Sequence, residues 1–393
     1  MSGADVVIVS AKRTPIGAFL GALSPLTAVQ LGSAAIKAAV EASGVGAADV
    51  QEVLMGCVLS AGLGQAPARQ AALGAGVPIA APATTVNKMC GSGLKAVMMA
   101  ADQIRAGSAE IVLAGGLESM SNAPYLLPKA RTGYRMGPGE LVDHMMRDGL
   151  QSPFDGKAMG CFADATASRY GFTRAQQDAF ATESVRRAMA ALAAGEFDGE
   201  VTPITVKGRK GDTVVARDET PGTCDTSRIA TMKPAFNKDG TVTAASSSSI
   251  SDGAAALVVM NGATARSRGL EPLARIVGYA SHAQEPEWFT LAPVGAIRRV
   301  LTQLGWKPHD AELYEINEAF AVVTMAAMRD IDIDAARVNV NGGACALGHP
   351  IGATGARILT TLVHALRRRS GKRGIAALCI GGGEAVALAV EML

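Results

Sequence analysis

The chain reads as an α/β protein made of two similar halves, and three observations carry that reading. Short apolar runs alternate with helical stretches, and the same order of runs returns near the C-terminus. The composition, with 45 glycines, 49% hydrophobic, 18% charged and 4% aromatic residues, describes a large interior of small, closely packed side chains. At 393 residues the chain exceeds the roughly 250–300 that one core usually organises, so two or more units are expected.

The first half opens on the strand-like Val6–Val9 and continues with the helical Leu26–Ala42, the run Val53–Cys57 and the helix Ala66–Leu73. Thr84–Val86, Gly93–Ile104 and Ile111–Ala114 then follow as strand, helix and strand. From Asn122 to Ala245 the chain turns richer in charge, Pro and Met, and only Arg174–Ala194 reads as a clear amphipathic helix, with Thr173 as its N-cap. This stretch is expected to be a loop domain inserted into the first half. The half then closes with the apolar strand Ala254–Met260, which follows the polar run Ser246–Ser249.

The second half runs through Ala274–Val277, Val294–Leu304, Leu313–Ile316, Phe320–Met328, Val338–Val340, Gly355–Leu366 and Ile375–Ile380. Thr85-Val86-Asn87, a Gly turn, a helix and Ile111–Gly116 match Val338–Asn341, a Gly-rich turn, a helix and Ala377–Gly382 in order. The expected units are therefore 1–121 completed by 246–270, the insertion 122–245, and 271–393.

The composition also excludes several functions. Net charge is only +2, and the runs Arg367-Arg368-Arg369 and Lys207-Gly208-Arg209-Lys210 read as solvated surface, the second of them also placed to meet a ligand's phosphates. No nucleic-acid partner is expected. Uncharged stretches such as Ala71–Asn87 are broken by Gly, Pro, Thr and Asn, so no membrane span is expected. Val6–Val9 begins within a few residues of the N-terminus, which leaves no room for a signal peptide. The six cysteines are scattered with no metal-site spacing, so reduced thiols in the cytoplasm and no metal are expected. Gly348–Gly355 lacks the Lys-Ser/Thr of a phosphate loop, and no G-x-G-x-x-G follows the first strand.

Three segments hold candidate chemistry. Cys90 lies between a strand-like run and Gly91-Ser92-Gly93 at the head of a helix, where the helix dipole and free N–H groups favour a thiolate nucleophile of lowered pKa. Cys379 ends an apolar strand ahead of Gly381-Gly382-Gly383, a sharp exit that leaves its sulfur and the next N–H groups at the mouth of the sheet. His349, alone of the five histidines, sits among glycines and is placed to take a thiol's proton. Asn317 stands at a strand's C-terminal end, where open α/β sheets put their sites; it reads equally as a holder of water or oxyanion and as the cap of a helix beginning near Glu318.

Taken together, Ser10–Gly17, Asn87–Gly93, Leu113–Ser121, Asn317–Phe320, Asn341–Gly355 and Cys379–Gly383 resemble the thiolase family over nearly the whole chain. The resemblance implies two duplicated α-β-α-β-α halves, an inserted loop domain that binds coenzyme A, and a homotetramer assembled as a dimer of dimers. It implies Cys90 as acyl-accepting nucleophile, His349 as its base and Cys379 as the acid/base at the α-carbon. Asn317 would hold a water in one oxyanion hole, and the N–H groups of Cys90 and Gly381 would form the other. Ser248, Met159, Phe236, Phe320 and Arg228 are the implied contacts for coenzyme A. Acyl-CoA thioesters would be the substrates, with no further cofactor required.

The chain departs from the family pattern at four places. Ala158 stands where short-chain members commonly carry His, Phe289 where many carry Met, and Ser246–Ser249 where a Gly-Asn-Ala-Ser-Gly-like run is usual. An arginine expected near the adenine falls on Pro221, with Arg228 close enough to compensate. The implied reaction is the joining of two acetyl-CoA molecules to acetoacetyl-CoA and its reverse. Ala158 favours instead a degradative thiolase of longer 3-ketoacyl chains. The second cysteine argues against a decarboxylating ketoacyl synthase, and the full set of four residues argues against a lipid-binding relative without turnover.

Overall fold

The structure, a computed structural model, describes residues 5–209 and 211–393, so Lys210 of the basic run lies outside the described residues. Nine strands build the core: β1 (Val6–Arg13), β2 (Glu52–Gly56), β3 (Ala83–Val86), β4 (Ile111–Ser119), β5 (Ser251–Asn261), β6 (Ala274–Ala283), β7 (Leu313–Ile316), β8 (Arg373–Ile380) and β9 (Glu384–Met392). The principal helices are α1 (Ala28–Ser43), α2 (Pro67–Gly74), α3 (Ser92–Ala106), α4 (Met159–Tyr170), α5 (Arg174–Ala193), α6 (Ala292–Leu304), α7 (Ala321–Ile331) and α8 (Ile351–Arg368).

Strand order exposes the internal repeat. The first half pairs β1-β5-β4-β2-β3 and the second β6-β9-β8-β7, and β1 joins β6 through Val7↔Arg275 and Ile8↔Ala274. In each half the first two pairings are antiparallel and the next parallel. The partner of β3 in the second half is Val338, which makes one parallel bridge to Tyr314. The strand expected at Val338–Val340 shrinks to that bridge for a local reason. Asn339 turns to φ +47° and its side-chain amide accepts from Ile316 N–H and donates to Ile316 O, both at 2.8 Å, in place of a backbone ladder.

The layers follow from which face each apolar residue covers. Residues of α1 and α2 pack on one face of the first-half strands, and those of α6 and α7 on the outer face of the second. Between the strands of the two halves lie α3 and α8, in one cluster with Leu54, Val112, Leu257, Leu378 and Leu388. The α-β-α-β-α stack thus arises from both halves together around a shared middle layer. Helices α3 and α8 cross where side chains vanish: a Cβ on Gly93 would lie 2.7 Å from Ala356 N, and one on Gly355 2.3 Å from Leu94 N. This crossing brings both helix N-termini, with the residues just before them, to one end of the sheets.

Two of these core strands and principal helices escaped the sequence reading. Strand β9 follows Gly382 and Gly383, both at positive φ, and pairs with β8 from Ile380↔Glu384 onward. Helix α4 has Ala158 at its capping position, which supplies no side-chain cap, and carries mostly small residues, which blurs its apolar stripe. The 122–245 segment is tied to the core by Arg13 of β1, fully buried, whose guanidinium meets Glu200 at 2.6 Å and Asp218 at 2.7 Å. No helix among the described residues is long and apolar enough to cross a membrane.

Candidate active site

Cys90 sits on a strained turn between β3 and α3. Met89 before it is held at φ +47°, a conformation that an unbranched side chain tolerates only when its surroundings fix it. Ser92 fixes it, since its Oγ accepts from Lys88 N–H at 2.8 Å and donates to Met89 O at 2.6 Å. Lys88 also pairs with Glu384 at the start of β9, which links the turn to the second half. The result is a half-buried cysteine packed against the apolar cluster of Val58, Leu59, Met120, Met145 and Ile351.

The electrostatics at this sulfur differ from the sequence expectation. Burial pushes the Cys90 thiol up to about 11, outweighing the N–H groups of Gly381 and Cys90 that pull it down, while the charge of Glu118 raises it further. The resting sulfur is therefore a thiol, and a base must take its proton. His349 supplies a suitable nitrogen. Its Nδ1 lies 2.6 Å from Thr354 Oγ1, whose hydroxyl donates to Pro350 O at 2.9 Å. That hydroxyl accordingly accepts from Nδ1–H, which assigns the free lone pair to Nε2. Nε2 is buried without a partner, and burial with the Arg357 charge lowers the imidazole to about 3, so it is neutral at physiological pH.

Cys379 ends β8, fully buried, with its thiol pushed well up by burial and by the neighbouring Cys90. Gly381, two residues on, brings its N–H near enough to the Cys90 sulfur to favour the thiolate. Asn317 follows β7 and donates its backbone N–H to Ala377 O at 3.0 Å, while both atoms of its buried side-chain amide lack partners. The helix-cap alternative for Asn317 fails, because α7 starts at Ala321 with Phe320 at the capping position. Two thiols, an unpartnered imidazole nitrogen and an unpartnered amide are what acyl transfer through a cysteine needs.

An aromatic wall encloses the second cysteine. Phe289, Phe320, Ala319 and Val322 are buried in one cluster with Cys379, and Met159, Phe162 and Phe236 pack against it. Phe320 meets Phe236 edge-on at 5.8 Å and Phe289 at 6.4 Å between ring centroids. Met159 Cε lies 3.6 Å from where a Cβ on Gly381 would stand, so α4 of the inserted segment reaches the site. Ser248 is half-buried and donates its N–H to Ala319 O at 3.0 Å, beside the wall. Arg228 stands apart, exposed on the helical turn Thr226–Thr231, and Pro221 is buried.

Sequence reasoning missed two residues that hold the others. Thr354 sets the His349 tautomer, and only its place one turn past the histidine hints at this. Glu118 is a fully buried carboxylate between Cys90 and the start of α8, invisible to a reading that ended its strand at Ala114. Among the described residues no three His, Cys, Asp or Glu side chains gather as metal ligands, and all six cysteines are free.

Comparison with known proteins covers both halves. Residues 6–263 match "Thiolase, N-terminal domain" and residues 270–392 match "Thiolase, C-terminal domain". An acetyl-CoA acetyltransferase of Pseudomonas aeruginosa is 52% identical, with 98% of each chain covered. The crystal structure of the Bacillus anthracis acetyl-CoA acetyltransferase superposes with a TM-score of 0.97 at 43% identity, over 100% of this chain and 99% of that one. An Ascaris suum Acat5 thiolase in complex with coenzyme A gives 0.94 at 43% identity, over 99% of this chain and 100% of the other.

Proposed function

The chain belongs to the thiolase family, and from that premise we propose that it is an acetyl-CoA C-acetyltransferase, joining two acetyl-CoA molecules to acetoacetyl-CoA and coenzyme A and running the reverse thiolysis. One observation carries the reading at the site: the Cys90 sulfur lies against the Gly381 N–H and beside Cys379, with the His349 Nε2 and the Asn317 amide buried and unpartnered. The Pseudomonas aeruginosa and Bacillus anthracis relatives are named acetyl-CoA acetyltransferases, which favours the short substrate over the longer-chain reading. Phe289, packed on Phe320 beside Cys379, adds bulk where a longer acyl chain would run.

Proton accounting assigns each group a task. His349 Nε2 takes the Cys90 proton as the sulfur attacks the thioester carbonyl, and the N–H groups of Cys90 and Gly381 receive the oxyanion. Cys379, held protonated by burial, gives its proton to the departing coenzyme A thiolate. The Cys379 thiolate then removes an α-proton from the second acetyl-CoA, and the enolate oxygen is met by His349 and by a water on Asn317. The carbanion attacks the acetyl group on Cys90, the carbon–sulfur bond breaks, and Cys90 recovers its proton from His349. All three groups return to their starting states, which gives ping-pong kinetics with no added cofactor.

The segment 122–245 would seat coenzyme A through Met159 and Phe236, with Phe320 and Ser248 from the core beside them. Arg228 is assigned to the adenine end as an exposed cation. Exposed Tyr125, Leu127, Met136 and Leu141 on one stretch of this segment support assembly into a homotetramer. Six free thiols support work in a reducing compartment such as the cytoplasm.

The test is coenzyme A-dependent thiolysis of acetoacetyl-CoA beside a medium-chain 3-ketoacyl-CoA. Preferred cleavage of the short substrate is expected, with activity lost by at least about a thousandfold in Cys90→Ala. Equal cleavage of both substrates would move the reading to a broad thiolase, and full activity in Cys90→Ala would refute the mechanism.

A further inference from the structure

Glu118 lies at the end of β4 with no accessible surface, and both of its oxygens are fully engaged. Oε2 accepts from Val58 N–H at 3.0 Å and from Gly352 N–H at 2.8 Å. Oε1 accepts from Leu59 N–H at 3.1 Å and from the Cys57 thiol at 3.7 Å. Four donors and no acceptor surround the group, an arrangement that suits a carboxylate and leaves a carboxylic acid proton nowhere to go.

The segments joined here flank the site: the start of α8 follows His349, and the 57–59 segment runs beside β3, the strand that leads to Cys90, with Cys57 N–H donating to Val86 O at 3.0 Å. Gly352 is in the first turn of α8, three residues past His349, and α8 has Pro350 at its capping position with no side-chain cap of its own. Glu118 supplies the missing negative partner for that helix end. Val58 and Leu59, the other donors, belong to the buried apolar cluster against which Cys90 packs. The fit admits no slack, since a Cβ on Gly352 would come within 2.7 Å of Glu118 Oε2.

We propose that Glu118 is a positioning residue for acyl transfer, a buried carboxylate that locks the start of α8, and with it His349, to the 57–59 segment that backs Cys90. The proposal rests on the thiolase reading of the site and deepens it. Its charge also acts on the sulfur, making a bare thiolate unfavourable until a substrate arrives, in the same direction as burial. Burial pushes the Glu118 carboxyl up to about 7, against the pull of its N–H donors, so it is charged in the alkaline range where a thiol titrates. The other titratable groups around it are Cys57 after β2, Cys90 before α3, His349 before α8 and Asp252 on β5, whose Oδ1 is bound to Ser121 N–H and the Ser119 hydroxyl.

Glu118→Gln keeps the shape, removes the charge and turns an amide N–H toward an N–H donor. Two readouts separate positioning from bulk stability. The first is the pH dependence of Cys90 alkylation by iodoacetamide, followed on the Cys90 peptide by mass spectrometry, which involves no acyl substrate. Its midpoint is expected to fall by about one pH unit in the Gln variant. The second is acetoacetyl-CoA thiolysis, where kcat is expected to fall about a hundredfold with KM little changed.

Glu118→Asp retains the charge but is too short to reach Gly352; it should lose kcat while keeping the wild-type alkylation profile. An unchanged profile together with kcat within about twofold of wild type in a folded Gln variant would overturn the proposal. If the Gln variant does not fold, near-wild-type kcat in the Asp variant would overturn it alone. Wild-type protein that cleaves no acyl-CoA, yet whose Gln variant shifts the alkylation profile, would sink the acetyltransferase reading and leave the electrostatic link intact.

Discussion

At the scale of single residues, the site rests on a contrast between what a helix end does to a thiol and what burial does. The free N–H groups near Cys90 stabilise a thiolate, but desolvation is the larger effect and leaves the sulfur protonated near neutrality. The sequence supported only the first half of that balance, because a residue's neighbours in the chain do not reveal how dry its surroundings are. Alkylation of Cys90 in the free enzyme is therefore expected to quicken by about tenfold per pH unit across the neutral to mildly alkaline range, since only the thiolate reacts. A rate that levels off near pH 7 would contradict this and indicate a thiolate at rest. Cys90, His349 and Cys379 were legible because glycine-flanked reactive residues at strand and helix ends have a local pattern. Thr354 and Glu118 were not, since their roles are contacts across the fold, and Glu118 reaches Gly352 from 234 positions away.

At the scale of elements, the two glycines at the α3–α8 crossing set how closely the nucleophile and base helices approach. Gly355→Ala would place a methyl 2.3 Å from Leu94 N, against backbone that has nowhere to shift. A stability loss of about 2 kcal/mol is expected in urea unfolding, with catalysis reduced in the protein that remains folded. A variant as stable as wild type would mean the helices are less tightly fixed than their contacts imply. Most elements could be read from alternating apolar runs, as with α1, whose capping box pairs Thr27 with Gln30. Val338–Val340 has the composition of a strand, yet Asn339 takes over the pairing through its side chain, and composition does not distinguish the two. Helix α4 was hidden by its small residues and missing cap, although Met159 in its first turn is the contact that brings the inserted segment to Gly381.

At the scale of the whole molecule, neither half contains a site. Cys90 comes from the first half, His349, Cys379 and Asn317 from the second, and the inserted segment adds Met159 and Phe236 to the wall. The doubled topology explains this arrangement, since each half presents the ends of the same strands and only their stacking about α3 and α8 makes those ends meet. Arg13 adds a buried link from β1 to Glu200 and Asp218, which holds the inserted segment in register with the core. In the proposed mechanism chemistry is thus a property of the assembled chain, with Cys90 as its covalent centre. The most direct test is intact-protein and peptide mass spectrometry after brief exposure to acetyl-CoA alone. The account predicts one acetyl group on the Cys90 peptide, none on that of Cys379, and its removal on adding coenzyme A. An unmodified Cys90, or an acetyl group on Cys379 instead, would contradict it.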